Sequence, residues 1–303
     1  MEHGEQAMAA ISRDLSARLG SRWSLRMIYH RMRPAGVQRV WHARSEDGRD
    51  LAIKAGATPD STRMQFDALI AMVRANPDSV APWFIAPDDS FFAMDWVQAP
   101  VLKARMQDAG RLDLLRDAGR WLRRLHTTTR ALRPRFDAGS RGDLLYPGQG
   151  ADYHAVIREL AHRRNRLRVR YAWFSLLHGD FHPGNLFADR ARVIGFDPPR
   201  IAFGPRHGDV ANFLVLLRVY RHHALYQGRG WPDSYHHDKA AFLDGYGAPL
   251  LPRSARLRFM VDLKTARLWH HLARQDRLSD LERAERAMLH KRMIRRGLLP
   301  NRA

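Results

Sequence analysis

Residues 176–187 read LLHGDFHPGNLF, and a shorter run at 193–198 reads VIGFDP. Two apolar segments flank a turn built from Gly, His, Pro and Gly, and the later run ends in an acid. This punctuation predicts a strand, a tight loop, a second strand, a turn over 188–192 and a third strand. The loop would present Asp180 and Asn185, and the third strand would deliver Asp197 beside them. Two carboxylates and a carboxamide are hard oxygen donors of the kind that hold Mg²⁺ against phosphate. One carboxylate is spare to accept a proton from an attacking hydroxyl. Asp-x4-Asn followed by a later Asp is the residue set of phosphoryl transfer.

With these motifs the chain resembles the aminoglycoside phosphotransferase and choline kinase branch of the protein-kinase-like fold. HGDFHPGN matches the catalytic loop of that family, with Gly179 in place of the Arg of the protein-kinase HRD. The family's metal-binding Asp sits in an I-D-x motif. Aligning VIGF to it would put Gly195 at that position, whereas the I-D-P variant puts Asp197 and Pro198 there and restores the acid. Asp209, in GPRHGDVA, matches the later Asp of G-x-P-x-x-D-L-A, which in kinase-like folds braces the catalytic loop from the start of a helix.

The resemblance implies an α+β, bilobal fold. A small antiparallel-sheet lobe with a helix would cover nucleotide over residues 1–97, and a larger, mainly helical lobe over 98–303 would carry the catalytic and acceptor sites. It also implies ATP and Mg²⁺ as cofactors. In those terms Asp180 is the catalytic residue, Asn185 and Asp197 hold metal, and Lys54, Asp67, Asp95 and Val97 serve the nucleotide.

The remaining sequence is compatible with such a fold. Residues 5–20 have helical apolar spacing and end in Gly20, and residues 24–29, 36–43 and 50–55 read as strands. The loop at 31–36 has a single glycine where protein kinases have several. Lys54 closes the strand LAIK, the shape of V-A-I-K, and a compact ammonium suits phosphate neutralisation better than a guanidinium fork. A helix follows over 61–75, with Ser61 as its expected cap. It contains no Glu to pair with Lys54, so Asp67 is the first candidate and Gln65 the second. A hairpin over 83–86 and 90–96 leads into MDWV, where Asp95 and Val97 mark the family's hinge. Beyond residue 98 the expected helices cover 111–127, 151–168, 210–223, 234–246, 253–275 and 280–296. Residues 128–150, rich in Pro, Gly, Arg and Asp, read as a loop or short-helix excursion. His126 is expected to be structural. His178 and His182 have metal-pair spacing only on a helix, which Pro183 forbids.

Charge bears on the partners. The formal net charge is +20, with only five lysines (Lys54, Lys103, Lys239, Lys264 and Lys291), so the basic balance comes from arginine. Solvated Arg faces account for this, and an anionic partner is the alternative. No zinc-finger, helix-turn-helix or RNP-type signature points to nucleic acid. The basic amphipathic stretch 283–296 suits packing as a terminal helix, or peripheral contact with an anionic membrane surface. No apolar run is long enough to cross a bilayer, residues 1–20 read as a charged helix and not as a leader, and the cytoplasm is the expected compartment.

The family acts on aminoglycosides, choline, ethanolamine, hexosamines, thiamine and homoserine. Polycationic acceptors need acids, and these are few beyond residue 210. The sequence therefore favours a neutral or anionic acceptor, such as the hydroxyl of a sugar, amino-sugar, amino-alcohol or glycan. A non-catalytic nucleotide-binding regulator is the second reading. A protein kinase is disfavoured, because residues 198–208 leave little room for an activation loop. Nothing in the sequence sets an oligomeric state.

Overall fold

The computed structural model describes residues 2–33, 35–134, 151–167, 171–189, 192–230, 235–247 and 254–300. The chain divides into two units, Met1–Ala99 with Ile194–Ile201, and Pro100–Val193 with Ala202–Ala303.

The first unit is organised by a strand covered on both faces. In β3 (Asp50–Ala55), Leu51, Ala52, Ile53 and Lys54 are all buried. With β1 (Trp23–Arg33), β2 (Gly36–Ser45), β4 (Pro82–Ile85) and β5 (Phe92–Asp95) it forms an antiparallel sheet of order β1-β2-β3-β5-β4. Because side chains alternate along a strand, Leu51 and Ile53 face a cluster containing Trp41 and the Ile11 and Leu15 of α1 (Glu2–Leu19). Lys54 lies opposite Phe92 in the ladder, and Phe92 meets Phe66 of α2 (Pro59–Ala75) with ring centroids 5.8 Å apart.

Helix α2 starts earlier than its sequence suggests. Thr58, not Ser61, is the N-cap: its side chain accepts from Ser61 N, and Ser61 completes a capping box from the third helical position behind Pro59. Met64 is exposed, although Ala68 and Met72, one and two turns further along the helix, are buried. Strand β1 runs on to Arg33, past the expected end at 29, so the first hairpin is longer than its sequence suggests.

The second unit carries helices α3 (Arg111–Thr128), α4 (Ala151–Arg166), α5 (His207–Tyr226), α6 (Tyr235–Gly245), α7 (Ala255–Ala273) and α8 (Asp280–Arg295). Strands β6 (Ala131–Pro134), β7 (Tyr171–Leu177) and β10 (Ala202–Pro205) form a sheet of order β10-β7-β6. Strand β8 (Leu186–Asp189) pairs with β9 (Arg192–Gly195). β6 corrects the expected loop at its start, because β7 supplies a pairing edge that sequence cannot show. The rest of that excursion, 135–150, lies outside the described residues, as do residues 190–191 within the expected turn at 188–192, residue 168 of the expected helix at 151–168, residue 234 of that at 234–246 and residue 253 of that at 253–275.

Leu289 and Met293 of α8 are buried in a core with Trp269, Leu263 and Val219. The exposed side of α8 carries Arg283, Arg286, Lys291 and Arg295. Helices α3 and α6 meet backbone to backbone: a Cβ at Gly119 would strike the carbonyl of Phe242, and one at Gly245 that of Arg116.

Candidate active site

The loop after β7 begins with Gly179 at φ +84, a left-handed conformation natural to glycine. The turn exposes two backbone N–H groups, and Asp209 in the first turn of α5 collects both. His178 N donates to its Oδ2 at 2.8 Å and Gly179 N to its Oδ1 at 3.1 Å. His126 Nε2 lies 3.2 Å from the same carboxylate, while its Nδ1 is 2.9 Å from the Tyr246 hydroxyl. The nitrogen facing a carboxylate carries the proton, so Tyr246 donates to Nδ1. Burial of Asp209 opposes its charge. The His126 hydrogen bond, the electrostatic influence of the His126 and His178 rings and the backbone donor outweigh that and hold its pKa below the usual carboxylate value.

Next to this anchor, Phe181 is fully buried and stacks on Trp121 at 5.5 Å, with Phe213 at 5.2 Å. That packing leaves Asp180 half-exposed at the loop surface. Asn185 donates from Nδ2 to the Asp180 carbonyl (3.0 Å) and carboxylate (3.3 Å). Asn212, three residues after Asp209 on α5, donates to Asp180 Oδ1 at 3.4 Å and to Phe181 O at 3.2 Å. His182 Nδ1 accepts from Gly184 N at 2.9 Å and lies 3.1 Å from the Tyr220 hydroxyl. Its proton is therefore on Nε2, 3.5 Å from Asp180 Oδ2.

Burial alone would raise the Asp180 pKa. The His182 hydrogen bond, the electrostatic influence of the His182 and His178 rings and the Asn212 donor reverse this and bring it down to about 2. An ionised carboxylate held from several directions can fix the direction of a hydroxyl and receive its proton late in the transfer.

Asn212 and Tyr220 went unseen in the sequence. The signal for Asn212 was its i+3 relation to Asp209, which puts both on one side of α5.

In the first unit, buried Lys54 donates through Nζ to Asp197 Oδ1. Asp197 has φ +62, a conformation uncommon outside glycine and frequent at functional positions. The strand before it is tied down by Val80 N to Gly195 O at 2.9 Å and Gly195 N to Asp78 O at 3.2 Å. Lys54, Gln65, Asp197 and Pro198 line a small cavity with Leu69, Phe92 and Met94. Of the two candidate partners for Lys54, Gln65 is in this cavity, with its buried Oε1 lacking a hydrogen-bond partner among the described residues. Asp67 is not in it and instead contributes to the field of Arg63, which pairs with Asp89.

Asp95 ends β5 with its carboxylate accepting from Trp83 Nε1 at 2.7 Å and Ala81 N at 3.3 Å. Its side chain is thus spent on the sheet. A nucleotide contact from this stretch would come from backbone near Val97, which is half-buried past the ladder.

Asn185 uses its nitrogen on Asp180, which leaves Oδ1, a hard oxygen donor, without a hydrogen-bond partner among the described residues. In the first unit, Asp197 uses Oδ1 on Lys54, which leaves its Oδ2 likewise without one.

Acids beyond residue 210 are mostly engaged. Asp238 is buried between Arg111 (3.1 Å) and Arg221 (3.6 Å), and Asp262 between Arg163 (2.6 Å) and Arg296 (2.9 Å). Glu285 meets His223 at 2.8 Å, Asp244 meets Arg116 at 3.4 Å, Asp280 pairs with Arg283, and Glu282 caps Ser279 at 2.8 Å. Asp276 is exposed between α7 and α8, and Asp233 lies outside the described residues.

The family model described as the phosphotransferase enzyme family (APH) matches residues 39–247. No curated protein matches the sequence. A choline/ethanolamine kinase family protein from Mesorhizobium loti is similar in structure, with 17% identity, TM-score 0.65, and 97% of this chain and 96% of that one covered. An aminoglycoside phosphotransferase solved with AMP-PNP and hygromycin B has 15% identity, TM-score 0.66, and coverage of 95% and 99%. An amicoumacin kinase solved with AMP-PNP and Ca²⁺ has 16% identity, TM-score 0.63, and coverage of 91% and 90%. At such identities the likeness carries the kinase-like, α+β fold.

Proposed function

Since the chain belongs to the phosphotransferase enzyme family, we propose that it transfers the γ-phosphoryl group of ATP, with Mg²⁺, to a hydroxyl of a sugar, an amino-sugar or an amino-alcohol. The observation that carries this reading is the Asp180 carboxylate, ionised, half-exposed and held by Asn185, Asn212 and His182. Asp180 orients the acceptor hydroxyl. The hydroxyl oxygen forms a bond to the γ-phosphorus, the bond from that phosphorus to the ADP oxygen breaks, and the hydroxyl proton passes to Asp180 and on to water. Lys54 offsets phosphate charge, and the hinge backbone near Val97 meets the base. Asn185 and Asp197 would hold the metal ion, which would supply charge neutralisation at the phosphates. The exposed basic residues of α8 suit a peripheral contact with an anionic surface through charge alone.

A regulator that binds nucleotide or an anionic partner without turnover is the second reading. Gln65 favours it, standing beside Lys54 where an acid is expected. Phosphate transfer from labelled MgATP into a fractionated cell extract separates the two. Label that depends on Asp180 supports the enzyme, whereas nucleotide binding without such label supports the regulator.

A further inference from the structure

Of the five lysines, Lys103 and Lys264 each connect to the surroundings of Asp180 within its own unit. Lys103, in the turn Leu102–Arg105, sets its ammonium 4.5 Å above the ring of Tyr220. Tyr220 reaches His182, and His182 reaches Asp180. Lys264 is on α7, one turn beyond Met260, whose methyl lies against Gly208 next to the Asp209 anchor. The Lys264 ammonium stands in the field of both Asp209 and Asp180, and it has no ion pair or hydrogen bond among the described residues. Burial first and then the Arg267 charge lower its pKa, against the pull of the two acids. Among the described residues beyond 210, the buried acids are occupied: Asp238 and Asp262 each join two arginines, and Glu285 holds His223.

We propose that the acceptor carries an anionic group, a carboxylate or a phosphate monoester, close to its reacting hydroxyl, and that Lys264 and Lys103 hold that group. The inference rests on the phosphotransferase reading and narrows its substrate. An ammonium is a compact, strongly hydrated point charge that suits either anion. In the field of an ionised base, it would repel a polyamine and draw an acid–alcohol toward Asp180.

The test offers labelled MgATP to the full chain with four acceptor sets: sugar acids, sugar phosphates, the parent neutral sugars, and cationic acceptors (aminoglycosides and choline). Asp180→Asn serves as the blank. Label in the sugar acids or the sugar phosphates, with the neutral parents at least tenfold poorer in kcat/KM, is the expected result and identifies the anion. Lys264→Gln should then raise the acceptor KM about 10- to 100-fold, the range of a lost charged hydrogen bond, with KM for ATP unchanged and Lys264→Arg partly restoring it. Lys103→Gln should act in the same direction, and Lys239→Gln should have no effect.

Two outcomes overturn the proposal and leave the kinase reading standing. One is equal or better turnover of neutral or cationic acceptors. The other is a Lys264→Gln defect confined to kcat and equal for every acceptor, which would make Lys264 a mere neighbour of Asp180. If no set is labelled in an Asp180-dependent way, the phosphotransferase reading itself fails.

Discussion

The Asp180 loop in the second unit and the Lys54–Asp197 pair in the first are held in opposite ways. Asp180 sits on a turn whose amides are gripped by buried Asp209, and its carboxylate is approached by Asn185, Asn212 and His182. No one of these bonds has to carry the geometry alone. Asp197 is held by one ammonium and a strained backbone angle, beside a buried amide oxygen with no partner among the described residues. A surplus of fixed donors makes a preorganised site, in which charge needs no rearrangement during reaction. A single ion pair with a partly hydrated carboxylate makes a site that can open to share its charges with incoming phosphates.

The contrast can be broken most directly at Asp180. Asp180→Asn keeps the size and most of the hydrogen bonds but cannot accept a proton, so kcat should fall about 10²- to 10⁴-fold with an unchanged circular dichroism spectrum. Wild-type turnover would remove Asp180 from the chemistry. Asp209→Ala should act on the fold instead. It strands two backbone donors and His126, and denaturant unfolding should show a loss of about 3–5 kcal/mol. Lys54→Met sharpens the other half. Asp197 can rehydrate, so stability should change by less than about 1 kcal/mol while KM for ATP rises roughly tenfold or more. A large stability loss there would mean that the pair is structural.

The smallest effect concerns acidity. Burial, then the charges of Arg206, Arg256 and His126, lower the His207 pKa from 6.5 to about 4. The unfolded chain therefore binds a proton that the folded one refuses. Stability from this group is fully present above about pH 6.5 and declines as pH falls toward 4, by roughly 1–3 kcal/mol. Replacing it by His207→Leu should flatten stability curves across that window. The depressed carboxylates Asp180 and Asp209 lose their contributions only below it, because their unfolded values are already near 4.

What could be read from sequence was whatever a contiguous stretch encodes. The Asp-x4-Asn spacing, the apolar strand ending in Lys54, and the Asp209 motif needed only local order, and each is found on the expected kind of element. Asn212, Tyr220, Lys103 and Lys264 come from two helices and a turn that reach the loop only through tertiary docking. Strand β6 exists because β7 offers it an edge, and Thr58 takes the cap because Pro59 fixes the first helical residue. Asp67 was preferred to Gln65 on charge, but the two are about 200° apart around a helix, and it is residue 65 that turns into the Lys54 cavity.

The glycine contact between α3 and α6 ties the loop to the unit as a whole. Gly119 and Gly245 let two helix backbones touch, and directly after that contact Tyr246 reaches His126, which reaches Asp209. A segment anchored to such a seam has no opening transition of its own below that of its host. On heating, catalytic competence and the tertiary signal of the second unit should vanish at one temperature. Gly119→Ala should lower both by the same number of degrees, so that thermal inactivation of this enzyme reports a helix seam and not the chemistry of its loop.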